Sequence, residues 1–410
     1  MPALPRCEVR LIRTLRLGLR PYLLIGGTPV ILANLWAEDL LHSSVLNTTE
    51  NYLRDVAIAY DWALGRGVSL ELKLERLAIF SPMEITSLAQ RLCRTAQGQS
   101  ARQSTCIRRL ESIKSFIDFS FDHYIELGRL SLAEQTQAEK NKSKIIKKLR
   151  KKILQNSKQS EPSIPATALT QAEVLQIIKV LDPDSPSNPF STPEIRSRNF
   201  CMTQVMLETL ARRGEVVLIE LDDLDLGYRP TIRIKRPTIN NQQMRKDGAS
   251  LKTRGRVVPI STDLAKALDD YISNYREKLL FPRRPSTVLF ISSRDGRRLS
   301  ARTVNTVIRT MAGSPALEGL GKRLHPHGLR STAANIARGL LENSPAANIN
   351  VTDSLAFLGG WSPDSPMVQQ YTRQSISDRL GQLLRQPSRD STDRGESNGK
   401  SSTKRIDQQD

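Results

Sequence analysis

The sequence has few residues of the kinds that build metal sites, disulfides or membrane spans. Its 410 residues include four cysteines and four histidines, and the cysteines lie far apart without a Cys-x-x-Cys pair. This spacing argues against zinc knuckles and a disulfide scaffold, so we expect the cysteines to pack as small apolar side chains in a reducing compartment. The apolar runs, such as residues 22–25 and 30–33, have the length of strands. A membrane span needs about twenty consecutive apolar residues, so none is expected.

Acidic residues are also too few to balance the basic ones. The chain has 61 lysines and arginines against 42 aspartates and glutamates, which gives a formal net charge of +19. Such a surplus favours a polyanionic partner, because neutralising phosphates releases their condensed counterions. Nucleic acid is the leading candidate and an anionic membrane the weaker one. Charged residues interrupt the start of the chain, which makes it a poor secretory signal, and we expect the protein to stay inside the cell.

The length and several shifts in composition predict more than one domain. Gly26-Gly27 lies between two β-rich runs and predicts a short hairpin near the N-terminus. The predicted divisions are an N-terminal extension with that hairpin at 1–47, a helical domain at 48–140, a basic interdomain linker at 141–167 that begins as a helix, a second domain at 168–386 and a disordered polar tail at 387–410.

Local patterns outline the second domain. Thr170-Gln-Ala-Glu173 has the spacing of a capping box, which predicts the start of a helix. Residues 231–235 alternate as a strand, and we expect them to pair with residues 256–260 across a polar loop. Helices are predicted at 195–213, 264–279, 302–311 and 328–340. The predicted fold class is therefore α+β and mostly helical, with a small antiparallel sheet in a mixed second domain.

Two arginine-bearing motifs suit a phosphate ligand. A phosphodiester under attack gathers negative charge on two oxygens, and guanidinium groups match that geometry with paired donors. Arg212 stands at the end of a predicted helix where the chain turns, and Glu215 follows it. Arg212 as a plain helix-terminal charge, and Glu215 as the first-turn acid of the next helix, are the alternatives. His327 and Arg330 are three residues apart on a predicted helix, so they share one face and suit one phosphate.

A histidine and a tyrosine supply reactive groups. A histidine near neutral pKa accepts a tyrosine proton or donates to a phosphate oxygen, although a capping role is the alternative for His327. His325 is its rival, but it precedes Pro326 and is expected outside the helix. Tyr371 follows a proline-containing turn, which predicts a short separate helix or mobile segment. Its phenol needs a base and a positive field to act as a nucleophile, and a core tyrosine with a wet hydroxyl is the alternative.

Lys252 lies at the edge of the predicted strand pair. An ammonium group there would reach the leaving oxygen of the phosphodiester as a general acid, a step to which arginine is poorly suited because of its very high pKa. A lysine that contacts only a phosphate backbone or solvent is the other interpretation. Lys246, six residues earlier, is a competitor for the same role.

Taken together, these motifs resemble the tyrosine recombinase family, of the phage integrase and chromosome-dimer resolution type. The first family box corresponds to residues 211–215, and the family's Lys-Thr…Val-Pro hairpin to residues 252–259. His327-Gly-Leu-Arg330 matches the second box, and Leu358-Gly359 with Tyr371-Thr372 matches the terminal one. The histidine of the family's third position is absent, and either Gly360 or Trp361 takes its place. Some members use tryptophan there, whose indole N–H also donates to a phosphate oxygen.

The resemblance implies a DNA strand transferase that needs no cofactor and no metal. Tyr371 would attack a DNA phosphodiester and form a 3′-phosphotyrosyl link, which a 5′ hydroxyl later reverses. The implied roles of the other residues are oxygen binding for Arg212 and Arg330, proton donation for Lys252, general base or phosphate donor for His327, support of the pocket for Trp361 and orientation of Arg212 for Glu215.

The resemblance also implies that the helical N-terminal domain is a core-binding, SAM-like domain that closes round DNA together with the catalytic domain. Backbone phosphates would be contacted by Lys140, Lys142, Lys144, Lys147, Lys148, Arg150, Lys151 and Lys152. The implied partners are double-stranded DNA at specific recombination sites, three further copies of the chain in a homotetramer that residues 375–384 help to join, and accessory DNA-bending proteins.

The setting that we expect from the resemblance is the cytoplasm of a bacterium, at the nucleoid, with the chain encoded by a bacterium, phage or mobile element. A type IB topoisomerase, which nicks and reseals one duplex with a similar set of residues, is the nearest alternative. A catalytically inactive DNA-binding accessory protein of the same fold is the other alternative.

Overall fold

The computed structural model describes residues 6–157, 168–235, 254–280, 285–344, 350–362 and 364–372. They form two compact units. The first contains residues 6–157, and the second contains most of the described residues from 168 onward. Helices predominate, and each unit also has a small antiparallel sheet. The predicted fold class, α+β and mostly helical, is confirmed. None of the described helices is both long and apolar enough to cross a membrane.

The first unit combines a three-stranded sheet with a set of helices. Its strands are β1 (Cys7–Thr14), β2 (Gly18–Ile25) and β3 (Thr28–Pro29), with β2 in the middle. Its described helices are α1 (Ile31–Ser43), α2 (Leu46–Leu64), α3 (Leu70–Glu75), α4 (Pro82–Leu92), α5 (Gln103–Leu127) and α6 (Leu132–Asn156). The Asn34 side chain of α1 accepts from Leu23 N at 2.7 Å and donates to Leu23 O at 3.1 Å, which fastens the helix to the middle strand.

One hydrophobic core runs through this unit. It contains Leu23 of β2, Trp36 of α1, Phe116 of α5 and Ile153 of α6. The rings of Trp36 and Phe116 meet edge to face, with their centroids 5.3 Å apart. Because aromatic side chains bury large apolar areas, such contacts contribute much of the stability of a helical unit. The sheet and all six described helices therefore belong to one unit.

This packing corrects the predicted N-terminal extension. Residues 7–43 do not stand apart at the N-terminus, since their apolar side chains lie in the same core as α2 and α5. The turn at Gly26 and Gly27 does form, with φ angles of 59° and 88°, but it leads into the two-residue strand β3. The second β-rich run is helix α1, and the long hairpin is β1 with β2. Helical burial of Leu32, Ala33 and Trp36 outweighs the β propensity of that run.

The predicted linker at 141–167 is corrected in the same way. Residues 141–156 are the second half of α6, which begins with a capping box between Ser131 and Glu134. Ile145, Leu149 and Ile153 recur every four residues and are buried in the core of the first unit. The predicted helix is therefore confirmed, but it packs into the first unit and does not link two domains, while lysines on its opposite face remain in solvent.

The second half of the chain mixes short helices with a second three-stranded sheet. Its described helices and strands are α7 (Gln171–Leu181), α8 (Pro193–Thr209), α9 (Arg213–Val216), β4 (Leu224–Asp225), β5 (Thr231–Ile234), β6 (Arg256–Pro259), α10 (Thr262–Asp270), α11 (Ala301–Ala312), α12 (Pro326–Glu342), α13 (Val351–Gly359) and α14 (Met367–Tyr371). Single turns of 3₁₀ or π helix follow α10 over Tyr271–Leu279, and a 3₁₀ segment spans Pro315–Arg323.

Several local predictions for this region are confirmed. Thr170 and Glu173 form the predicted capping box at the start of α7. Strands β5 and β6 pair antiparallel, with Ile232 opposite Val258. The predicted helix at 195–213 is too long by four residues, because Leu210 adopts a left-handed conformation (φ 54°, ψ 23°) and ends α8 at Thr209. Arg212 consequently lies at the beginning of α9 and not at the end of α8.

Some predictions fall on residues that the structure does not describe. These are Lys246 and Lys252, the docking segment at 375–384 and the polar tail at 387–410. The boundaries of the predicted catalytic domain, 168–386, also stay a prediction.

Candidate active site

The first element of the site is a buried carboxylate between two arginines. Glu215 lies on α9 with a fully buried side chain, and its two oxygens accept from Arg212 Nη1 at 3.3 Å and Arg256 Nη2 at 3.1 Å. One oxygen also accepts from the backbone N–H of Arg212 at 3.1 Å. Arg212 is the N-cap residue of α9, so its side chain leaves the main chain where the helix begins. Because both its backbone and its guanidinium contact Glu215, Arg212 is held in one position.

Arg330 is buried more deeply than Arg212. Only 1% of it is exposed, and it lies on α12, where Nη2 donates to Gly359 O at 2.8 Å and Nη1 donates to Leu210 O. Burial, reinforced by the charge of Arg212, lowers the pKa of Arg330 to about 10. The guanidinium therefore stays charged at neutral pH, and main-chain carbonyls at the ends of α8 and α13 fix its orientation.

His327 and Tyr371 form a hydrogen-bonded pair. The Tyr371 hydroxyl lies 3.1 Å from His327 Nδ1, and the two ring centroids are 5.0 Å apart. Tyr371 ends the five-residue helix α14, which matches the predicted short separate helix. Partial burial lowers the pKa of His327 below its ordinary value, and the charges of His325, Arg330 and Arg212 lower it further. A neutral imidazole accepts the phenol proton, so the pair has the right polarity for a nucleophile and its base.

The start of α12 sets the direction of His327. Pro326 occupies the first helical turn, as predicted, and His325 is the N-cap residue, with its Nδ1 accepting from Gly328 N at 3.1 Å. Gly328 is needed because a Cβ atom there would lie 2.2 Å from Arg323 O. This tight start places the imidazoles of His325 and His327 side by side, with an interplanar angle of 13°.

Trp361 lies behind Tyr371. Its ring stacks on the tyrosine with centroids 5.1 Å apart, and the Arg330 guanidinium carbon is 4.8 Å from the centre of its ring. The two preceding glycines make this possible. Gly360 takes a left-handed conformation (φ 64°) that ends α13, and a Cβ at Gly359 would lie 2.4 Å from the indole. Of the two residues that the sequence left open for this position, Trp361 is the one whose side chain meets the tyrosine.

The indole N–H of Trp361 is buried and makes no hydrogen bond within the part of the chain that the structure describes. Neither does Trp361 line the pocket in front of Tyr371. Its contacts are those of a platform, because it supports the phenol and the guanidinium from one side. These contacts agree with the predicted role of Trp361 in supporting the pocket, which stays a prediction.

A pocket of about 390 Å³ opens in front of these groups. The side chains that line it are Arg212, Arg213, Asn305, His325, Pro326, His327, Arg330 and Tyr371. Three arginines and no carboxylate are among these described residues, so the pocket suits an anion. Sequence reasoning missed Arg213 and Asn305. Adjacency to Arg212 was a signal for the former, whereas nothing in the sequence singled out Asn305.

Two groups of predicted residues lie elsewhere. Lys252 is outside the described residues, but Arg254, two positions on, donates its backbone N–H to Gly360 O at 3.0 Å, next to Trp361. The eight predicted phosphate contacts lie on α6 of the first unit, where Lys140, Lys144, Lys147, Lys148, Arg150 and Lys151 are exposed. Lys142 differs, because it pairs with Asp122 at 2.9 Å and Glu139 at 2.8 Å.

Comparison with known proteins shows which family the sequence belongs to. The sequence profile of the phage integrase family matches residues 167–377, just over half of the 410 residues. A tyrosine recombinase XerD of Mycobacterium tuberculosis is 28% identical over 167 residues, which are 41% of this chain. That match spans 46% of the relative, so the chain spans about half the length of the curated relatives it matches.

Solved structures give the same assignment of the fold. The integrase of transposon Tn1549, in complex with circular intermediate DNA, aligns with a TM-score of 0.54 at 18% identity and covers 86% of this chain and 99% of that one. The same integrase in complex with transposon right end DNA aligns with a TM-score of 0.52. At this level of identity the likeness establishes the fold alone. Together with the profile match, it confirms the resemblance seen in the sequence: the chain belongs to the phage integrase family.

Proposed function

We propose that the chain is a site-specific DNA recombinase, which cleaves and rejoins DNA strands through a 3′-phosphotyrosyl intermediate. The observation that carries this proposal is the Tyr371 hydroxyl, 3.1 Å from His327 Nδ1 at a pocket lined by three arginines. A phenol with a neutral base beside it and cationic donors around it has what attack on a phosphodiester requires. Membership of the phage integrase family supports DNA as the substrate.

In the first step the Tyr371 oxygen bonds to phosphorus and its proton passes to His327. The bond from phosphorus to the 5′ oxygen breaks, and that oxygen takes a proton, for which Lys252 is the proposed donor. The products are a 3′-phosphotyrosyl link and a free 5′ hydroxyl. When the 5′ hydroxyl of a partner strand attacks the link, the same steps run in reverse, and the tyrosine regains its proton. The number of phosphoester bonds is unchanged, so the exchange needs no external energy source.

The arginines meet the charge that develops on the phosphate. Arg212 and Arg330 both line the pocket, and each is anchored, by Glu215 in one case and by two carbonyls in the other. Donors that are already oriented need no rearrangement as charge builds up, and removing one such donor costs roughly 10²–10³-fold in rate. Glu215 orients Arg212 through its ion pair with the guanidinium, and it also compensates the charge of the buried Arg256.

Binding of a phosphate would also help His327 to act. Burial, and then the neighbouring positive charges, lower the pKa of His327, which disfavours the imidazolium that forms when the phenol gives up its proton. A bound phosphodiester places one negative charge among the same arginines. It therefore stabilises the imidazolium and makes His327 a stronger base only when substrate is present.

Lys252 is proposed as the general acid from its position in the chain. Arg254, two residues after Lys252, is hydrogen-bonded to the main chain beside Trp361. A lysine ammonium on its flexible stem can follow the leaving oxygen, whereas Arg330 is held by two main-chain carbonyls and Arg212 by Glu215.

The partner in this proposal is double-stranded DNA carrying a specific recombination site. Exchange between two duplexes cuts four strands, and one tyrosine for each strand requires a homotetramer. The exposed basic face of α6 would contact backbone phosphates, and accessory DNA-bending proteins would assist the assembly. We place the reaction in the cytoplasm, at the nucleoid, because the substrate is chromosomal or mobile-element DNA.

The test uses nicked duplexes tiled across the DNA that flanks the gene for this chain. A nick close to the cleavage point releases a short 5′-hydroxyl fragment and traps the protein on the remaining strand. We expect a covalent adduct from the wild-type chain, none from Tyr371→Phe, and strand exchange when two intact copies of the same duplex are supplied.

The remaining outcomes identify the alternatives. Relaxation of supercoiled plasmid without dependence on sequence would assign the chain to type IB topoisomerase activity. Binding to one of the duplexes without any adduct would make it an accessory DNA-binding protein.

A further inference from the structure

One face of α12 contacts the tyrosine-bearing helix α14 at three separate points. His327 meets the Tyr371 hydroxyl, Asn335 meets the Tyr371 carbonyl, and Arg338 meets the Thr372 hydroxyl. Positions eight and eleven residues after His327 return to roughly the same side of a helix with 3.6 residues per turn. The first contact involves the Tyr371 hydroxyl, whereas the other two hold the Tyr371 backbone and the side chain of Thr372.

Asn335 binds the main chain of the tyrosine itself. Its Nδ2 donates to Tyr371 O at 2.8 Å and to Ser331 O at 2.7 Å. The Ser331 hydroxyl lies 3.5 Å from the same tyrosine carbonyl and adds a weaker contact. The last carbonyls of a helix have no partner within the helix, so a side chain that donates to one of them fixes the helix end. Asn335 does this at the residue that carries the phenol.

Arg338 holds the following residue. Its Nη1 donates to Thr372 Oγ1 at 3.0 Å, and Thr372 is fully buried. The threonine hydroxyl donates in turn to Val368 O at 2.8 Å, one turn back in α14. Glu342 accepts from Arg338 Nε at 2.8 Å, which keeps the guanidinium pointed at Thr372. A chain of hydrogen bonds therefore runs from α12 through Thr372 into the middle of α14.

Helix α14 depends on such contacts because it is very short. It has five residues, whereas isolated helices of fewer than about twelve are marginal in water. Apolar contacts of Val368 and Tyr371 also tie it to the second unit. The hydrogen bonds to the Tyr371 carbonyl and the Thr372 hydroxyl are directional, so they add a constraint on orientation that apolar contacts do not supply.

We propose that Asn335 and Arg338 are positioning residues that form a latch on Tyr371, here called the α12 latch. The proposal rests on the proposed function, in which Tyr371 is the nucleophile. The latch grips the backbone and Thr372, so the phenol remains free to leave His327 and approach phosphorus while its Cα stays in place. The latch thus raises the fraction of molecules in which the phenol is aimed at the phosphate pocket, without itself touching DNA.

This role predicts a change in rate without a change in affinity. If a variant lowers the aligned fraction of Tyr371, cleavage slows in proportion, because only aligned molecules react. DNA affinity stays the same, since neither Asn335 nor Arg338 lines the phosphate pocket. Loss of one buried hydrogen bond is expected to slow cleavage by about tenfold.

The experiment compares Asn335→Ala, Asn335→Asp and Thr372→Val. The aspartate removes the donor and sets a carboxylate against the Tyr371 carbonyl, so it should be the slowest. Thr372→Ser keeps the hydroxyl that Arg338 binds and should retain most of the wild-type rate, which distinguishes the hydrogen bond from packing. Leu340→Ala, an exposed position on the same helix, is the control for effects on α12 itself.

Three measurements separate the outcomes. The rate of adduct formation on saturating nicked duplex should fall about tenfold in Asn335→Ala and Thr372→Val, whereas the dissociation constant for the same duplex should change less than about twofold. Hydrogen exchange without DNA should speed up at residues 367–372 in these two variants and not in the control. A double variant, Arg338→Ala with Thr372→Val, should be no slower than the worse single variant.

Wild-type rates in all latch variants, or weaker DNA binding with unchanged rates at saturation, would overturn the latch. An absence of adduct from the wild-type chain would instead overturn the proposed function. Hydrogen exchange then still decides whether Asn335 and Thr372 hold α14, because it is measured on the free protein.

Discussion

The two units of this chain differ in where they keep their charged side chains. Among its described residues the first unit buries one charged side chain, Asp55, beneath a core rich in aromatic and aliphatic groups. The second unit buries Arg198, Glu215, Asp223, Arg256, Arg276 and Arg330. Burying a charge costs free energy that apolar burial does not, so the second unit gives up stability to hold cations in place. The first unit instead carries its positive charge on the surface of α6.

The buried arginines of the second unit are not all alike. Arg198 donates to Ile291 O at 2.8 Å, and Arg276 Nε donates to Val288 O at 3.0 Å, so these two guanidiniums fasten a loop segment to neighbouring elements. Arg330 makes the same kind of bonds to carbonyls, yet it also lines the phosphate pocket. Burial of an arginine therefore does not identify a catalytic group. Its position relative to the pocket and to Tyr371 does.

The largest effect that the comparison predicts is at Arg330. Arg330→Lys keeps the positive charge but loses the planar guanidinium, whose several N–H donors can bind the two carbonyls and the phosphate together. The rate of adduct formation should therefore fall by roughly 10²–10³-fold. Arg309→Lys, an exposed position on α11, is the matched control and should cleave at the wild-type rate. Cleavage by Arg330→Lys within a few-fold of wild type would show that Arg330 is structural, like Arg198.

The next effect concerns stability. Glu215→Ala leaves the buried Arg256 without its carboxylate, which should lower the free energy of unfolding by about 3–5 kcal/mol. Urea unfolding, followed by hydrogen exchange of peptides from the second unit, measures this change. Glu50→Ala, which removes a surface partner of Arg54 in the first unit, should have a much smaller effect. If both variants lost the same free energy of unfolding, the two units would not differ in how much their ion pairs contribute to stability.

A smaller effect is expected from the basic face of the first unit. Replacing Lys144, Lys147 and Lys151 by Gln should weaken binding to duplex DNA and reduce its dependence on salt, by roughly 0.9 in the log–log slope for each phosphate that the variant no longer neutralises. Lys142→Gln is the matched control, because Lys142 is already paired with Asp122 and Glu139. Fluorescence anisotropy at several salt concentrations gives both slopes. A larger change in the control than in the triple variant would contradict the assignment of this face to DNA.

The smallest effect is a shift in pH dependence. The pKa of His327 lies below its ordinary value of 6.5, so the imidazole stays neutral and able to accept the phenol proton at pH 6.5. As pH falls through the lowered pKa, His327 becomes protonated, and both its role as a base and its contribution to stability are lost. At DNA concentrations well below saturation, where the rate reports the free enzyme, adduct formation should therefore decline only below pH 6.5. His327→Gln should be slower and lack this decline, whereas a wild-type decline centred above pH 6.5 at sub-saturating DNA would contradict the assignment.

Much of the site could be predicted because it depends on short-range patterns. The three-residue spacing of His327 and Arg330, the proline that starts their helix and the turn before Tyr371 are all local features, and local geometry follows from them directly. The need for glycine at 359 is equally local, but only the structure reveals it. The indole of Trp361 occupies the space that a side chain at 359 would need.

What could not be predicted depends on contacts between distant residues. Arg256 reaches Glu215 across 41 positions of sequence, and Asn305 enters the pocket from α11 without any motif. In α6 the sequence predicted a basic helix leading into a linker, but not that Ile145, Leu149 and Ile153 would bury it in the core of the first unit. Their four-residue spacing decided the outcome because buried apolar area contributes more than solvated charge.

The most direct test of Tyr371 as the nucleophile is to locate the covalent bond. After reaction with the nicked duplexes, the protein is digested with nuclease and trypsin, and the modified peptide is sequenced by mass spectrometry. We predict a nucleotide joined through its 3′ phosphate to Tyr371, and no modification of the buried Tyr271 or of Tyr275. An adduct on any other residue, or one that persists in Tyr371→Phe, would contradict the central claim.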